Sequence, residues 1–535
     1  MPTDEADYVI AGGGSAGCVL ANRLSADPAN RVVLLEIGPD AKGFKNTMPT
    51  GGMTHLGNAE RDWCLMTEPD PSLNGRQQFW SAGRMLGGGS SVNGMIYIRG
   101  DRADYDEWAN ELGCTGWSWD EVFPYFLKSE TFAGEPSQSH GSTGPLGVTA
   151  PRMQHPLTHA FVEACAQYGL ARVPDYCAGD VDGVFTMLCT QKDGKRSSAA
   201  HAFLDPAKGR PNLEIVTGAA VDKVVIEGGR ATGVQFVRDG QARIVRARRE
   251  VIVSSGALNS PVVLMRSGIG PADHLREHGI AVVLDQPEVG QNLQEHASFH
   301  SAFEVDIPTY NTMMKPLTLA REMVKYIVAK TGLMTIIPVE AMAYLRSRPD
   351  LAEPDIKLSF GLMVHNPKTR KPHELPGVMV FANVAKPKSR GRIRLKNADP
   401  LAKPVVDHRL LGAPEDVEAL VAGAKKVREI FTMPALAGHV RSQLLPDPLP
   451  QTDDEWADAL RNTCGIGYHP VATCRMGGDA GSVVDPRLRV RGIAGLRVVD
   501  ASIMPIMPAA NTNAPTIMIA EKAAEMILED ARAPV

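Results

Sequence analysis

The first forty residues constrain the fold more than any other part of the chain. Asp7-Tyr8-Val9-Ile10-Ala11 is a short apolar run, and Gly12-Gly13-Gly14-Ser15-Ala16-Gly17 follows it directly. Ala16 to Leu24 reads as a helix, and Arg31-Val32-Val33-Leu34-Leu35-Glu36 is a second apolar run that ends in an acid. The order is strand, G-x-G-x-x-G, helix, strand, acid, with the acid about 20 residues past the last glycine, as a dinucleotide site requires. Gly12 permits the tight turn, Gly14 lets backbone approach a pyrophosphate, and Gly17 packs the helix on the strand. The free N–H groups and dipole of the helix N-terminus attract phosphate. Glu36 can accept both ribose hydroxyls and would repel a 2′-phosphate. A glycine motif without this context is an ordinary turn; the flanking strand, helix and acid make it a nucleotide site. NAD and FAD look alike at this point.

A second glycine segment, Gly83 to Gly100 (GRMLGGGSSVNGMIYIRG), adds to this. Gly87-Gly88-Gly89-Ser90-Ser91 is too small and flexible to build a core. It suits backbone lying against a flat ring or a pyrophosphate, and Asn93 beside it offers both a donor and an acceptor.

The 535 residues suffice for two domains or one large interleaved body, and 44% apolar residues fit a packed globule. With a net charge of −5 there is no basic footprint for nucleic acid. No stretch approaches the roughly 18 apolar residues that span a membrane. The chain enters its first strand at once, with no basic start and no apolar signal segment, so a cytoplasmic location is expected. The eight cysteines form no C-x-x-C pair and match no zinc spacing; buried, reduced thiols are expected. The fourteen histidines show no H-E-x-x-H cluster, and no metal site is expected.

Further along, Asn212 to Val237 alternates like paired strands about a turn at Glu227-Gly228-Gly229-Arg230. Val251-Ile252-Val253 leads into Gly256, a second strand-to-glycine turn. Leu317 to Thr331 is a helix candidate of mixed character, either a surface helix or a flap over a site.

The two glycine segments belong to a longer series. Asp62-Trp63 precedes Thr67-Glu68-Pro69, and Gly256-Ala257-Leu258-Asn259-Ser260-Pro261 precedes Ser267-Gly268-Ile269-Gly270-Pro271. Then come Val289-Gly290-Gln291-Asn292-Leu293-Gln294-Glu295-His296 and Pro387-Lys388-Ser389-Arg390-Gly391. Near the end stand Tyr468-His469-Pro470, Thr473-Cys474-Arg475-Met476-Gly477, Val499-Asp500-Ala501-Ser502 and Asn511-Thr512-Asn513-Ala514-Pro515-Thr516. In this order, over the whole length, the chain closely resembles the glucose-methanol-choline family of flavin oxidoreductases.

The resemblance implies an α/β fold in which a Rossmann-like FAD-binding domain is interleaved with a substrate domain built on an antiparallel sheet with helices. The expected FAD domain comprises residues 1–150, 190–300 and 464–535, and the substrate domain residues 151–189 and 301–463. FAD is expected on Gly12, Gly14, Ser15, Ala16, Gly17 and Glu36. The resemblance adds Trp63, Arg84, Gly88, Ser91, Asn93, Gly94, Met95, Val221, Asp500, Ala501 and Asn513. Relatives that bind FAD covalently do so through a histidine just before the loop asparagine. Val92 stands there, so a non-covalent cofactor is expected.

The resemblance also implies oxidation of a primary alcohol, with oxygen or a quinone-like carrier as electron acceptor. Such a reaction needs a base for the hydroxyl proton, and histidine titrates near neutral pH. His469 stands where the family places its active-site histidine. Counting back from the last helix puts the partner at Asn511, to hold the substrate oxygen. Asn513 stands close enough to be taken for that partner; its other reading is the N-cap of a helix at 514–528, with Pro515 in its first turn. The positive end of that helix would face the flavin and stabilise its reduced anion. Glu340 and Tyr468 are the expected substrate contacts; Glu340 matches a carboxylate of choline-acting relatives, and a purely conformational hydrogen-bonding role is its other reading. The alternative activity is a flavin-containing lyase of the same fold, resembling hydroxynitrile lyases; a third reading is a catalytically silent flavoprotein.

Overall fold

A computed structural model describes residues 4–365 and 371–532. The run at the N-terminus forms strand Glu5–Ala11, buried from Ala6 onward. Both faces of such a strand are covered, which is why it reads as continuously apolar rather than alternating. It lies between Val32–Glu36 and the far half of the long strand Gln241–Val253, parallel to both, with Val9 opposite Val33 and Val251. Leu213–Thr217 extends this sheet beyond Val32–Glu36, again in parallel.

The long strand does two jobs. Its last residues pair in parallel with Glu5–Ala11 and Leu496–Val498. Its first residues pair antiparallel with Arg230–Arg238, which forms a hairpin with Ala220–Glu227. The Gly228-Gly229 turn has positive φ at both residues, as a tight hairpin needs. The expectation of paired strands over 212–237 therefore needs dividing, because Leu213–Thr217 pairs with Val32–Glu36 and only the later strands form the hairpin. The result is one seven-stranded mixed sheet. Helices Ser15–Leu24 and Asn513–Asp530 pack on each other beside it.

A second seven-stranded sheet is antiparallel. Its order is Val440–Leu445, Ala297–Val305, Gly377–Val384, Ile356–Gly361, Ala341–Leu345, Val184–Thr186, with Gly465–Ile466 paired to the start of Ala297–Val305. Helices Pro414–Phe431 and Pro156–Gln167 lie against it. The α/β class with a parallel-cored sheet and a separate antiparallel sheet is thus the observed one.

Helix Pro316–Ala329 lies on the surface, held by buried Tyr326 and Glu322 and exposing Leu317, Val324 and Val328. No helix among the described residues is long and apolar enough to cross a membrane. All eight cysteines are free thiols and seven are buried.

Candidate active site

The strand ends of the first sheet, the second glycine segment and the edge of the antiparallel sheet enclose a cavity of about 510 Å³. At its nucleotide end Gly12 takes φ +119°, and a Cβ there would sit 2.3 Å from the backbone oxygen of Ser254. A Cβ on Gly17 would sit 2.0 Å from the Gly12 carbonyl oxygen. These two positions admit nothing larger than hydrogen. A Cβ on Gly14 would meet only the Ser254 backbone oxygen, at 3.9 Å, and Gly14 lines the cavity. Glu36 is buried at the end of its strand, accepting the N–H groups of Gly13 (2.9 Å) and Gly38 (2.8 Å). Burial raises its pKa against the pull of those bonds.

The two glycine segments touch. Gly87 N–H donates to Gly13 O at 2.8 Å, and a Cβ on Gly88, at φ +50°, would sit 2.9 Å from Gly14 Cα. Ser15 Oγ donates to Asn513 Oδ1 at 2.9 Å, tying the first helix to the last. Neither of these two helices has an acid in its first turn, so both positive ends stay uncompensated at the cavity wall. The last helix begins at Asn513, and Thr512 is its N-cap, correcting the expected cap by one residue.

Arg196 holds the second glycine segment in place. Its guanidinium donates to the Ser90, Asn93 and Pro49 carbonyls and to Asn93 Oδ1. Burial lowers its pKa to about 10, still leaving it a cation at neutral pH. Asn93 Oδ1 also accepts the N–H of Met95, whose φ is +62°.

Of the expected cofactor residues, Gly12, Gly14, Ser15, Ala16, Glu36, Trp63, Gly88, Asn93, Gly94, Met95, Val221, Asp500, Ala501 and Asn513 line the cavity. Gly17, Arg84 and Ser91 do not. Gly17 packs under the turn. Ser91 Oγ donates to Leu86 O, and Arg84 bonds the Ala59 and Glu60 carbonyls while covering the Trp63 ring at 5.7 Å. These three shape the wall from behind it. Asp500 organises its surroundings, accepting from Gly256 N, Ser260 Oγ and Ser502 N.

The opposite end is built by the segment after Gly465–Ile466. Tyr468, at φ +65° and 52% exposed, and His469 line the cavity there, with Asn511. The His469 N–H donates to the Glu295 carboxylate at 2.8–2.9 Å, and His469 Nδ1 lies 2.9 Å from His296 Nδ1. Lys357 Nζ lies 3.3 Å from the same His296 nitrogen. Burial, then the Lys357 charge, holds His469 well below the usual histidine range. Burial raises Glu295 and lowers Lys357, drawing both toward their neutral forms. Asn511 Oδ1 is buried without a hydrogen-bond partner among the described residues, a polar atom left for a bound molecule.

Glu340 does not line the cavity. Its carboxylate is buried behind the wall and accepts from Thr158 Oγ1 (2.7 Å), the His155 N–H (2.9 Å) and Tyr310 OH. Pro338 and Val339 face the cavity in its place. The expected substrate contact at Glu340 is therefore withdrawn in favour of its conformational role.

His296, Glu295, Lys357 and Arg196 escaped the sequence reading as site residues. Lys357 carried a signal: it is one charge inside the wholly buried strand Ile356–Gly361. Away from this site, His140, Asp175 and Cys177 bring ligand atoms within 4.8 Å of one another. Against the penalty of burial, hydrogen bonds to Asp175 and Glu130 raise His140 to about 9, so a protonated ring and the Arg99 guanidinium on Glu130 fill that cluster with positive charge.

A GMC oxidoreductase N-terminal family model matches residues 6–298, and the C-terminal model matches residues 387–520. An alcohol dehydrogenase [acceptor] of Pseudomonas putida is 41% identical over 98% of this chain and 95% of its own. An oxygen-dependent choline dehydrogenase of Rhizobium rhizogenes is 40% identical, covering 98% and 96%. The crystal structure of pyridoxine 4-oxidase from Mesorbium loti superposes with a TM-score of 0.89 at 32% identity, covering 97% of this chain and 98% of that one. The chain belongs to the GMC oxidoreductase family. The cleft fits the FAD of that family: the side-chain-free turn Gly12–Gly14, the acid Glu36 on the wall and two uncompensated helix ends supply the donors and acceptors a dinucleotide needs.

Proposed function

We propose that this protein oxidises a neutral primary alcohol to its aldehyde, using non-covalently held FAD. The chemistry FAD supplies when bound is acceptance of the carbinol hydride at flavin N5. Glu36 and the Gly12–Gly17 turn would hold its nucleotide end, and residues 88–95, Asp500, Ala501 and Asn513 the remainder. Val92 lines the cavity in place of a linking histidine.

One observation carries the reading. His469 and Asn511 stand on the wall of the same cavity as the nucleotide turn, one a neutral imidazole and the other an amide with an unpaired oxygen. His469 takes the hydroxyl proton on the ring nitrogen that His296 does not hold. Asn511 orients the substrate oxygen toward it by donating an amide N–H, because the hydroxyl's own hydrogen goes to His469. The acids on the wall are Glu36 and Asp500. With Glu340 turned away and Glu295 held behind the wall by the backbone N–H groups of His296 and His469, neither carboxylate faces the cavity to favour a quaternary ammonium, so a neutral alcohol is the better fit.

The division into residues 1–150, 190–300 and 464–535 for the cofactor and 151–189 and 301–463 for the substrate remains our proposal, supported by the two sheets. So does a cytoplasmic location. The lyase alternative finds no support in relatives that are dehydrogenases and oxidases. Anaerobic addition of benzyl alcohol or a linear primary alcohol should bleach the flavin, and choline should do so poorly. A flavin that stays oxidised with every alcohol, while a cyanohydrin is cleaved, would establish the lyase instead. Mixing the reduced enzyme with oxygen then separates an oxidase from a quinone-linked dehydrogenase.

A further inference from the structure

The structure assigns His296 as the positioning residue that fixes which nitrogen of His469 bears the hydrogen. This rests on the reading of His469 as the base. His296 is fully buried, and its Nε2 lies 3.0 Å from the carbonyl oxygen of Ala385. A carbonyl only accepts, so that nitrogen carries the hydrogen. Burial, then the charges of Lys357 and His469, holds the His296 pKa well below the usual range, so the ring is neutral. Its Nδ1 is then a lone pair with nothing to donate.

Two groups converge on that lone pair: Lys357 Nζ at 3.3 Å and His469 Nδ1 at 2.9 Å. The lysine nitrogen has an N–H to give in either protonation state. His469 can make its bond only when its own Nδ1 bears the hydrogen. Nε2 of His469 is therefore the bare nitrogen. The contact is tight by construction, since a Cβ on Gly467 would sit 2.8 Å from His296 Cβ and 3.1 Å from His469 Nδ1. The Glu295 carboxylate fixes the backbone on both sides by accepting the N–H groups of His296 and His469.

The consequence is chemical. A substrate hydroxyl meets a lone pair instead of an N–H. When the O–H bond breaks and the new N–H forms at Nε2, the resulting imidazolium keeps its Nδ1–H on the His296 lone pair. The titratable groups around this pair are Lys357 on Ile356–Gly361 and Glu295 beside His296. Lys386, next to Ala385, is turned onto Asp104, Glu107 and Glu353. The Lys357 charge opposes protonation of His469. Lys357→Met should therefore move the His469 ionisation to higher pH.

The test is a long-range ¹H–¹⁵N spectrum of holoenzyme labelled at histidine, near neutral pH, with the His469 signals identified by their loss in His469→Ala. The expected spectrum shows Nδ1 protonated and Nε2 bare; the opposite tautomer would overturn the assignment. In a second arm, His296→Leu should slow anaerobic flavin reduction roughly 10- to 100-fold, the scale on which outer partners of functional histidines act, with FAD content and unfolding temperature checking the fold. His296→Asn, whose oxygen accepts near the lost Nδ1, should recover most of the rate. A His296→Leu enzyme with wild-type rate, pH profile and tautomer refutes the role of His296. If His469→Ala is itself as fast as wild type, it is the base assignment that fails. If His296→Leu does not fold, the wild-type spectrum decides alone.

Discussion

Glu36 spends its buried carboxylate on two backbone N–H groups of the nucleotide turn and still faces the cavity. Glu36→Ala should loosen FAD binding roughly ten- to several-hundred-fold, the value of two charge-assisted bonds. Calorimetric titration of the apoprotein measures this; unchanged affinity would place the ribose elsewhere. Gly17→Ala drives a methyl into the Gly12 carbonyl and should cost about 1–3 kcal/mol, the usual penalty of overpacking, read as a lower unfolding temperature. Both residues were legible in the sequence because spacing along a strand–turn–helix unit fixes where each side chain points. Glu340 was misplaced because alternation along an extended segment sends neighbouring side chains to opposite sides; resemblance finds the position and not the face. His296 and Lys357 were not legible as partners because 61 residues separate them and only the antiparallel sheet brings them together.

Among elements, the second glycine segment depends most on one residue outside itself. Arg196 saturates three carbonyls and the Asn93 amide from beneath the segment. Arg196→Met takes the guanidinium from the Ser90, Asn93 and Pro49 carbonyls and leaves Asn93 Oδ1 with the Met95 N–H alone. It should cost at least about 2 kcal/mol and release FAD on dialysis, while Glu36 and His469 stay intact. An enzyme that keeps its cofactor and its unfolding temperature would show that the loop is held by its own turns. The last helix was legible from Asn511 to Thr516, but its start was one residue off, because Asn513 turns its amide to Ser15 and leaves the capping position to Thr512. The long strand Gln241–Val253 was visible only in its last residues, since the stretch before them is largely exposed and carries Arg243, Arg246, Arg248 and Arg249.

At the scale of the whole molecule, the cofactor cleft and the His469 end of the cavity are built on two sheets whose strands are interleaved along the chain. The family resemblance made that interleaving legible; composition alone offered only size and an apolar core. Acid precipitation should release all the flavin into the supernatant, because Val92 offers no linking nitrogen; flavin retained in the pellet would contradict this. The central claim is that His469, neutral and held below the usual histidine range, takes the alcohol proton. Its most direct test is the rate of anaerobic flavin reduction by alcohol, followed against pH in the wild type and in His469→Ala. In the wild type the rate should rise with pH through one ionisation that lies below the ordinary histidine value, about 6.5, and stay level from neutrality upward. His469→Ala should be slower by about 10²- to 10⁴-fold with a full complement of FAD, whereas a variant that reduces flavin at the wild-type rate would contradict the account.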